Sequence, residues 1–205
     1  MKKVITIIIA VVMVFALSAT AFAAASDRAK EVTGDNNGKA LGIEKQERNN
    51  ERLRELFAKY FSEGLEKLDE IQEDHREFHE EAKEDREELQ EAIRADFDEI
   101  KSAVESGDLT RREGHIQIIN LRMDIRSMRN EMDEVILEKI DAQAPVHDRL
   151  AEIREEIKGL LSTDPIDADA IAVLLEESLG LFETHLENDI YYHGLCQDIA
   201  ESYGY

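Results

Sequence analysis

The chain has 205 residues, of which 47 are acidic and 25 are Lys or Arg, so its formal net charge is −22. A charge of this sign repels nucleic acids and anionic lipids and favours cations and basic peptides, although an acidic surface also serves solubility. The only cysteine is Cys196, which excludes an intramolecular disulfide.

The first 23 residues have the pattern of a secretory signal peptide. Lys2 and Lys3 precede an apolar run at 4–17, and the tripeptide AFA at 21–23 supplies an A-x-A cleavage site. The run is shorter than the ~20 apolar residues that a membrane anchor needs. We therefore expect cleavage after residue 23, export to a periplasm or out of the cell, and no membrane insertion afterwards.

A flexible leader is predicted over 24–43 because small and polar residues occur there without any period. A single helical domain is predicted over 44–205. Its first helix is expected at about 44–106, where there is no proline and Gly64 is the only glycine.

The apolar residues of this first helix recur every eleven positions. One row contains Tyr60, Ile71, Ala82, Ile93 and Val104, and a second contains Phe78, Leu89 and Ile100. Eleven residues in three turns keep an apolar stripe nearly straight, unlike the heptads of a left-handed coiled coil. A helix of this length is expected to project, to pack against a second copy, or to break near Gly64.

A second helix is predicted over 110–161. Gly107 ends the preceding helix, and Thr110 with Glu113 forms a capping box. Pro145 interrupts the pattern, and the spacing of the apolar residues around it favours a kinked continuous helix over a hairpin. The inward face is predicted to contain Ile118, Leu121, Ile125, Met128, Met132, Ile136 and Ile140.

The third helix is predicted over 165–203, with Asp164 as its cap and Pro165 as its first residue. Its inward residues are expected to be Ile171, Leu174, Leu175, Phe182 and Leu186. Nothing in the sequence predicts a strand. The predicted fold is an all-α, elongated antiparallel helical bundle.

The segment HLENDIYYHGLC at 185–196 places His185, Asp189, His193 and Cys196 on one side of this last helix, where the inward stripe continues. Buried polar groups cost roughly 1–3 kcal/mol each unless they find partners. The face is therefore either exposed near a frayed helix end or part of a metal site. His185 and His193 lie about 12 Å apart along the axis, too far to share one ion.

A second histidine pair, His75 and His79, lies on the first helix. Antiparallel pairing places residue 75 opposite about 142 and 186, and residue 79 opposite about 138 and 190, so both histidine pairs fall in one layer. The ligands suit Zn²⁺ or another divalent ion. The candidate metal ligands are His75, His79, His185, Asp189, His193 and Cys196.

Two further histidines, His115 and His147, have the pattern of surface residues. The sequence contains no Gly-rich phosphate loop, G-x-S-x-G, H-E-x-x-H or CxxC motif. The tyrosines near the end of the chain are interpreted as packing or interface residues. We therefore expect neither an enzyme nor an organic cofactor.

The region 109–200 resembles the Spy/CpxP family of exported helical proteins. The similarity rests on LTRRE at 109–113, where Glu113 stands in place of the Gln of the family's L-T-x-x-Q element. It also rests on the proline-interrupted helix, the acidic turn LLSTDPIDADAI at 160–171 and the final helix. The resemblance implies an exported chaperone, envelope-stress adaptor or metal-responsive protein.

Three functions follow from these observations. The first is a non-enzymatic exported protein that binds a client or a sensor partner through its Met-rich and aromatic inner faces. The second is a protein that binds a divalent metal ion. The third is a structural rod built on the eleven-residue repeat, with a homodimer as one form of its assembly.

Overall fold

The computed structural model describes residues 50–205, and all of the regular structure in this part is helical, without a strand. The prediction of an all-α helical bundle is confirmed. The predicted signal peptide 1–23, the leader 24–43 and the start of the predicted first helix at 44–49 lie outside the described residues. The helices are α1 at 50–60, α2 at Leu65–Ser106, α3 at Arg111–Leu160 and α4 at Ala168–Ser202.

The helix predicted over 44–106 is interrupted near Gly64, which was one of the three alternatives expected for a helix of this length. Phe61 leaves helical geometry with φ −146° and ψ 62°, and a 3₁₀ turn at Ser62–Gly64 follows before α2 begins. Gly64 packs so closely that a Cβ there would collide with the Phe61 ring and lie 3.1 Å from Leu179. The break therefore depends on a glycine that lets two side chains close over the backbone.

The described residues form two compact units. One contains the described part of Met1–Ile71 together with Ala144–Thr184, and the other contains Gln72–Gln143 together with His185–Tyr205. The single domain predicted over 44–205 stays a prediction.

The first unit contains an apolar core from α1, the start of α2, the end of α3 and the start of α4. Phe57, Ile153 and Leu175 are fully buried at its centre. Arg149 of α3 donates bidentately to Glu177 of α4 at 2.6 and 2.8 Å, which links two of the core helices. Of the inward residues predicted on the last helix, Ile171, Leu174, Leu175 and Leu186 are buried and Phe182 is half-buried.

In the second unit α2 and α4 run in the same direction and α3 runs against both. The capping box predicted at the start of α3 is confirmed, because the Thr110 backbone N–H donates to Glu113 Oε2 at 2.9 Å and the Glu113 N–H donates to Thr110 Oγ1 at 3.2 Å. Gly107 has φ +87° at the preceding turn. The residues of the eleven-residue rows that lie on α2 are buried or half-buried throughout.

The helix α3 continues through Pro145, as the apolar spacing predicts. Its inward face differs from the prediction at two positions, since Ile136 and Ile140 are 46% and 37% exposed. The inward positions at this level belong instead to Lys139 and Gln143, which bond to an acid on α4. Each residue turns about 100° around a helix, so the neighbouring isoleucines face solvent.

The start of α4 also differs from the prediction. The helix begins at Ala168, not at Pro165, and its cap is Asp167, whose Oδ1 accepts the Ala170 N–H at 3.0 Å. A side chain that satisfies this N–H stabilises the helix start, and Asp164 does not provide that bond. None of the described helices carries an apolar stretch of the length that crossing a bilayer requires.

Candidate metal centre

Asp189 lies at the centre of a buried polar cluster in the second unit. Asp189 is only 3% exposed. Gln143 Nε2 donates to its Oδ1 at 2.6 Å, and Lys139 Nζ lies 2.7 Å from the same oxygen. His185 Nδ1 lies 3.4 Å from the other oxygen, Oδ2. On the polar face of α4, Asp189 is therefore buried and hydrogen-bonded, while His185, His193 and Cys196 are half-buried, so fraying does not expose this face.

These contacts determine the charge of Asp189. Burial alone acts to raise the pKa of its carboxyl group, but the interactions with His185 and Lys139 outweigh burial and hold the pKa well below its usual range. The side chain is consequently a carboxylate at neutral pH. This is the form that ligates a metal ion.

Two histidines of α2 approach this carboxylate. His75, His79 and Asp189 each present one ligand atom, and these three atoms all lie within 4.8 Å of one another. Zn–N and Zn–O bonds of about 2.0–2.1 Å in a tetrahedron separate the ligand atoms by roughly 3.3 Å. Side-chain rotations that move these atoms by about an ångström or two would therefore bring all three within bonding distance of one zinc-type ion.

His185 belongs to the same layer. Its ring centroid is 5.5 Å from that of His75, which in turn is 6.0 Å from the ring of His79. His185 is not one of the three residues whose ligand atoms converge, but its contact with Asp189 Oδ2 allows it to orient this carboxylate. Histidines and carboxylates that hold each other in orientation are typical of the surroundings of protein metal sites.

The structure does not bring His193 and Cys196 into this group. His193 Nε2 donates to Asp85 Oδ2 at 2.8 Å, and Gln197 Nε2 donates to the same oxygen at 2.8 Å. Cys196 is half-buried, and burial raises the pKa of its thiol more than the charge of Lys139 lowers it. A protonated thiol is a poor metal ligand.

Sequence reasoning missed the polar residues of α3 and one acid of α2. Lys139 and Gln143 lie at the levels that the antiparallel alignment places opposite His79 and His75, so the alignment itself could have identified them. Asp85 had no such signal, because acids occupy many exposed positions of α2. The exposed His115 fits its prediction as a surface residue, and His147 is half-buried.

The two oxygens of Asp189 have different surroundings. Oδ1 accepts both the Lys139 and the Gln143 contact, whereas Oδ2 faces His185. A metal ion at Oδ2 would leave the Oδ1 bonds in place, so that Gln143 would position the ligand from behind. The Lys139 charge opposes a cation, but its side chain is 28% exposed and long enough to turn toward solvent.

Comparison of the chain with protein-family models, with curated proteins and with solved structures gave no match.

Proposed function

We propose that this chain is a non-enzymatic helical protein that binds a divalent ion of the zinc type through His75, His79 and Asp189. The observation that carries the proposal is the convergence of these three ligand atoms from two helices. Metal sites in helical bundles are built from side chains of facing helices. Asp189 is buried, His75 is half-buried and His79 is exposed at the edge of this face. Water would complete the coordination.

The chemistry of the ligands indicates the class of ion. Two imidazoles and one carboxylate suit Zn²⁺ and neighbouring transition metals, whereas Ca²⁺ and Mg²⁺ prefer oxygen ligands alone. The proposal concerns binding of the ion, and catalysis at the ion is not part of it. A storage, transport or sensing role is the class of function that we infer.

Export is part of the same proposal. The signal pattern at 1–23 favours a site that binds its ion outside the cytoplasm. The metal-responsive members of the Spy/CpxP family, which region 109–200 resembles, also act there. The strongly acidic chain would attract cations toward such a site.

The test is a melting curve of the untagged chain after chelation, with and without Zn²⁺. A ligand at a hundred times its Kd stabilises the native state by about 2.7 kcal/mol, which for a chain of this size is a rise in Tm of roughly 5–10 °C. His75→Ala and His79→Ala should each remove most of this rise. His115→Ala, which changes an exposed histidine on α3, should retain it.

Two further measurements separate coordination from general cation binding. Co²⁺ should give visible absorption bands that His75→Ala abolishes, and Ca²⁺ at the concentration used for Zn²⁺ should raise Tm far less. Lys139→Gln should tighten Zn²⁺ binding because it removes a positive charge next to Asp189. Equal responses of the unmodified chain and His75→Ala to Zn²⁺ would refute the proposal.

A second candidate function is the binding of a partner protein, and an exposed apolar stripe on α3 favours it. Ile116, Ile119 and Met123 share one face and are 47%, 43% and 63% exposed. The face predicted for partner binding is instead occupied by internal packing, with Met128 only 1% exposed. The outer stripe fits an apolar segment of an unfolded client or a sensor partner.

This candidate is tested by the aggregation of an unrelated unfolding protein in the absence of metal. Met123→Glu should weaken any protection by the chain, and Gln117→Glu, with the same charge change on the same helix, should not. If Met123→Glu instead converts a dimer to a monomer in light scattering, the stripe binds a second copy. Protection that is equal in both variants would exclude the stripe as the client site.

A further inference from the structure

A second feature of the second unit is a cleft of about 400 Å³ between α2 and α3. Small-molecule sites in proteins typically measure about 300–1,000 Å³. None of its lining residues belongs to the cluster around Asp189, so it is a separate feature. Its principal walls are Ile93 and Phe97 of α2 with Arg122, Ile125, Arg126 and Arg129 of α3.

Three arginines bring positive charge to the cleft. Arg122, Arg126 and Arg129 follow one another at spacings of four and three, which puts them on one face of α3. Within residues 50–205 none of them makes an ion pair. Asp133 also lines the cleft, four residues beyond Arg129, and still forms no ion pair with it.

Unpaired guanidinium groups are unexpected in this chain, where acidic residues outnumber basic ones by 47 to 25. A guanidinium group offers a planar set of donors that matches carboxylate and similar oxyanions. Three such groups around one cleft therefore provide a local positive site on a negatively charged protein.

The floor of the cleft is apolar. Ile125 is 8% exposed, and Ile93 and Phe97 are half-buried beside it. The three arginines beside this floor are exposed. A small inorganic anion would leave this floor uncovered, whereas a ligand with an apolar body would bury it.

We propose that this cleft binds an amphipathic organic anion, namely a carboxylate or sulfonate carried on an aromatic ring or a short hydrocarbon chain. The apolar body lies on Ile93, Phe97 and Ile125, and the charged group meets the three arginines. A long polyanion such as a nucleic acid is not the occupant. Most of its length would lie outside the cleft, where the overall charge of −22 repels it.

The experiment is a fluorescence titration of the full chain with 8-anilinonaphthalene-1-sulfonate, an aromatic sulfonate with the proposed chemistry. The double variant Arg122→Gln/Arg126→Gln should lower its affinity by about tenfold or more, since each charge-assisted hydrogen bond contributes about that factor. Arg111→Gln/Arg112→Gln, which changes the net charge equally on exposed residues of the same helix, should leave the affinity about unchanged. Asp133→Asn should raise it.

Competition distinguishes the amphipathic anion from other occupants. The carboxylate 4-phenylbutyrate should displace the dye from the unmodified chain, and inorganic phosphate at equal ionic strength should not. Because the arginines are exposed, their variants should keep the helical circular dichroism of the parent chain. Absence of dye binding, an equal loss in both double variants, or displacement by inorganic phosphate as effective as that by phenylbutyrate would each overturn the proposal.

Discussion

Asp189 is an acid on a buried helical face, and its ionised state depends on contacts from Lys139, Gln143 and His185. Asp189→Asn keeps the size of the side chain but removes the charge that Lys139 neutralises. A hydrogen bond to a charged group contributes about 1.5–3 kcal/mol, so we expect a loss of this order in the free energy of unfolding at pH 7. Urea denaturation measures it.

The control for this change is Asp198→Asn, an exposed acid on the same helix. It should alter the free energy of unfolding by less than about 0.5 kcal/mol. The pKa of Asp189 is lowered in the folded chain, so its contribution is present above the ordinary pKa of an aspartate and is lost in acid. The free energies of unfolding of the parent and of Asp189→Asn should therefore converge as the pH falls. A difference between them that stays constant with pH would contradict the lowered pKa of Asp189.

Tyr205 gives the chain a sensitivity to alkaline pH. Its hydroxyl donates to Asp96 Oδ2 at 2.9 Å, and burial together with this carboxylate raises the pKa of Tyr205 to about 12. A tyrosine in an unfolded chain ionises near pH 10. Because the folded pKa is the higher one, the contribution of Tyr205 is present below pH 10 and is lost as the pH rises toward about 12.

The measurement is denaturant unfolding at pH 8 and at pH 11, in the parent chain and in Tyr205→Phe. The phenylalanine variant should be less stable at pH 8 and should lose less stability between the two pH values. Tyr191→Phe, which changes a 61% exposed tyrosine, is the matched control and should follow the parent. Identical pH dependence in the parent and Tyr205→Phe would show that the Asp96 contact does not act in this way.

The sequence predicted much of the site residue by residue, but not all of it. Helical spacing places His75 and Asp189 on inward faces, and helix alignment brings their levels together. The spacing along the last helix also made His193 a candidate ligand, but it does not show that Asp85 bonds to that ring. A partner on another helix is set by side-chain packing, which spacing along one helix does not contain.

At the scale of helices and turns, Gly107 is needed for its backbone geometry alone. Its φ is +87°, and a Cβ at this residue would have no heavy atom within 4 Å. Left-handed geometry costs a residue with a Cβ about 1–2 kcal/mol. We therefore expect Gly107→Ala to lower the free energy of unfolding by this amount, measured by urea denaturation.

Gly180 is the matched control for this change. It is exposed in the interior of α4, and a Cβ there also meets no heavy atom within 4 Å. Alanine is favoured over glycine by about 0.5–1 kcal/mol inside a helix, so Gly180→Ala should stabilise the chain. If both variants changed the free energy of unfolding in the same direction, backbone geometry would not be the cause of the two effects.

Local signals predicted some helix ends and failed at others. The capping box of Thr110 and Glu113 is a contact within one turn, so the sequence contains it in full. At the interruption Ser62–Gly64, the backbone of Gly64 packs against Phe61 and against Leu179, which is far away along the chain. Helix ends that depend on such distant contacts cannot be predicted from propensity and periodicity.

At the scale of the whole molecule, the excess of 47 acidic over 25 basic residues opposes folding through repulsion between like charges. Raising the ionic strength from 0.01 to 0.1 M shortens the screening length from about 30 Å to about 10 Å. Salt also weakens ion pairs, but exposed pairs contribute only about 0–1 kcal/mol each. We therefore expect NaCl to raise Tm over this range, as thermal denaturation would show.

The same experiment separates screening from a specific site. Stabilisation by NaCl should be equalled by KCl and should persist in His75→Ala, because screening depends on ionic strength and not on a ligand. Stabilisation by micromolar Zn²⁺ should disappear in that variant, since such a concentration adds almost nothing to the ionic strength. A fall in Tm with NaCl would mean that ion pairs such as those of Arg149 outweigh the repulsion, and that the acidic excess is spread too widely to oppose folding.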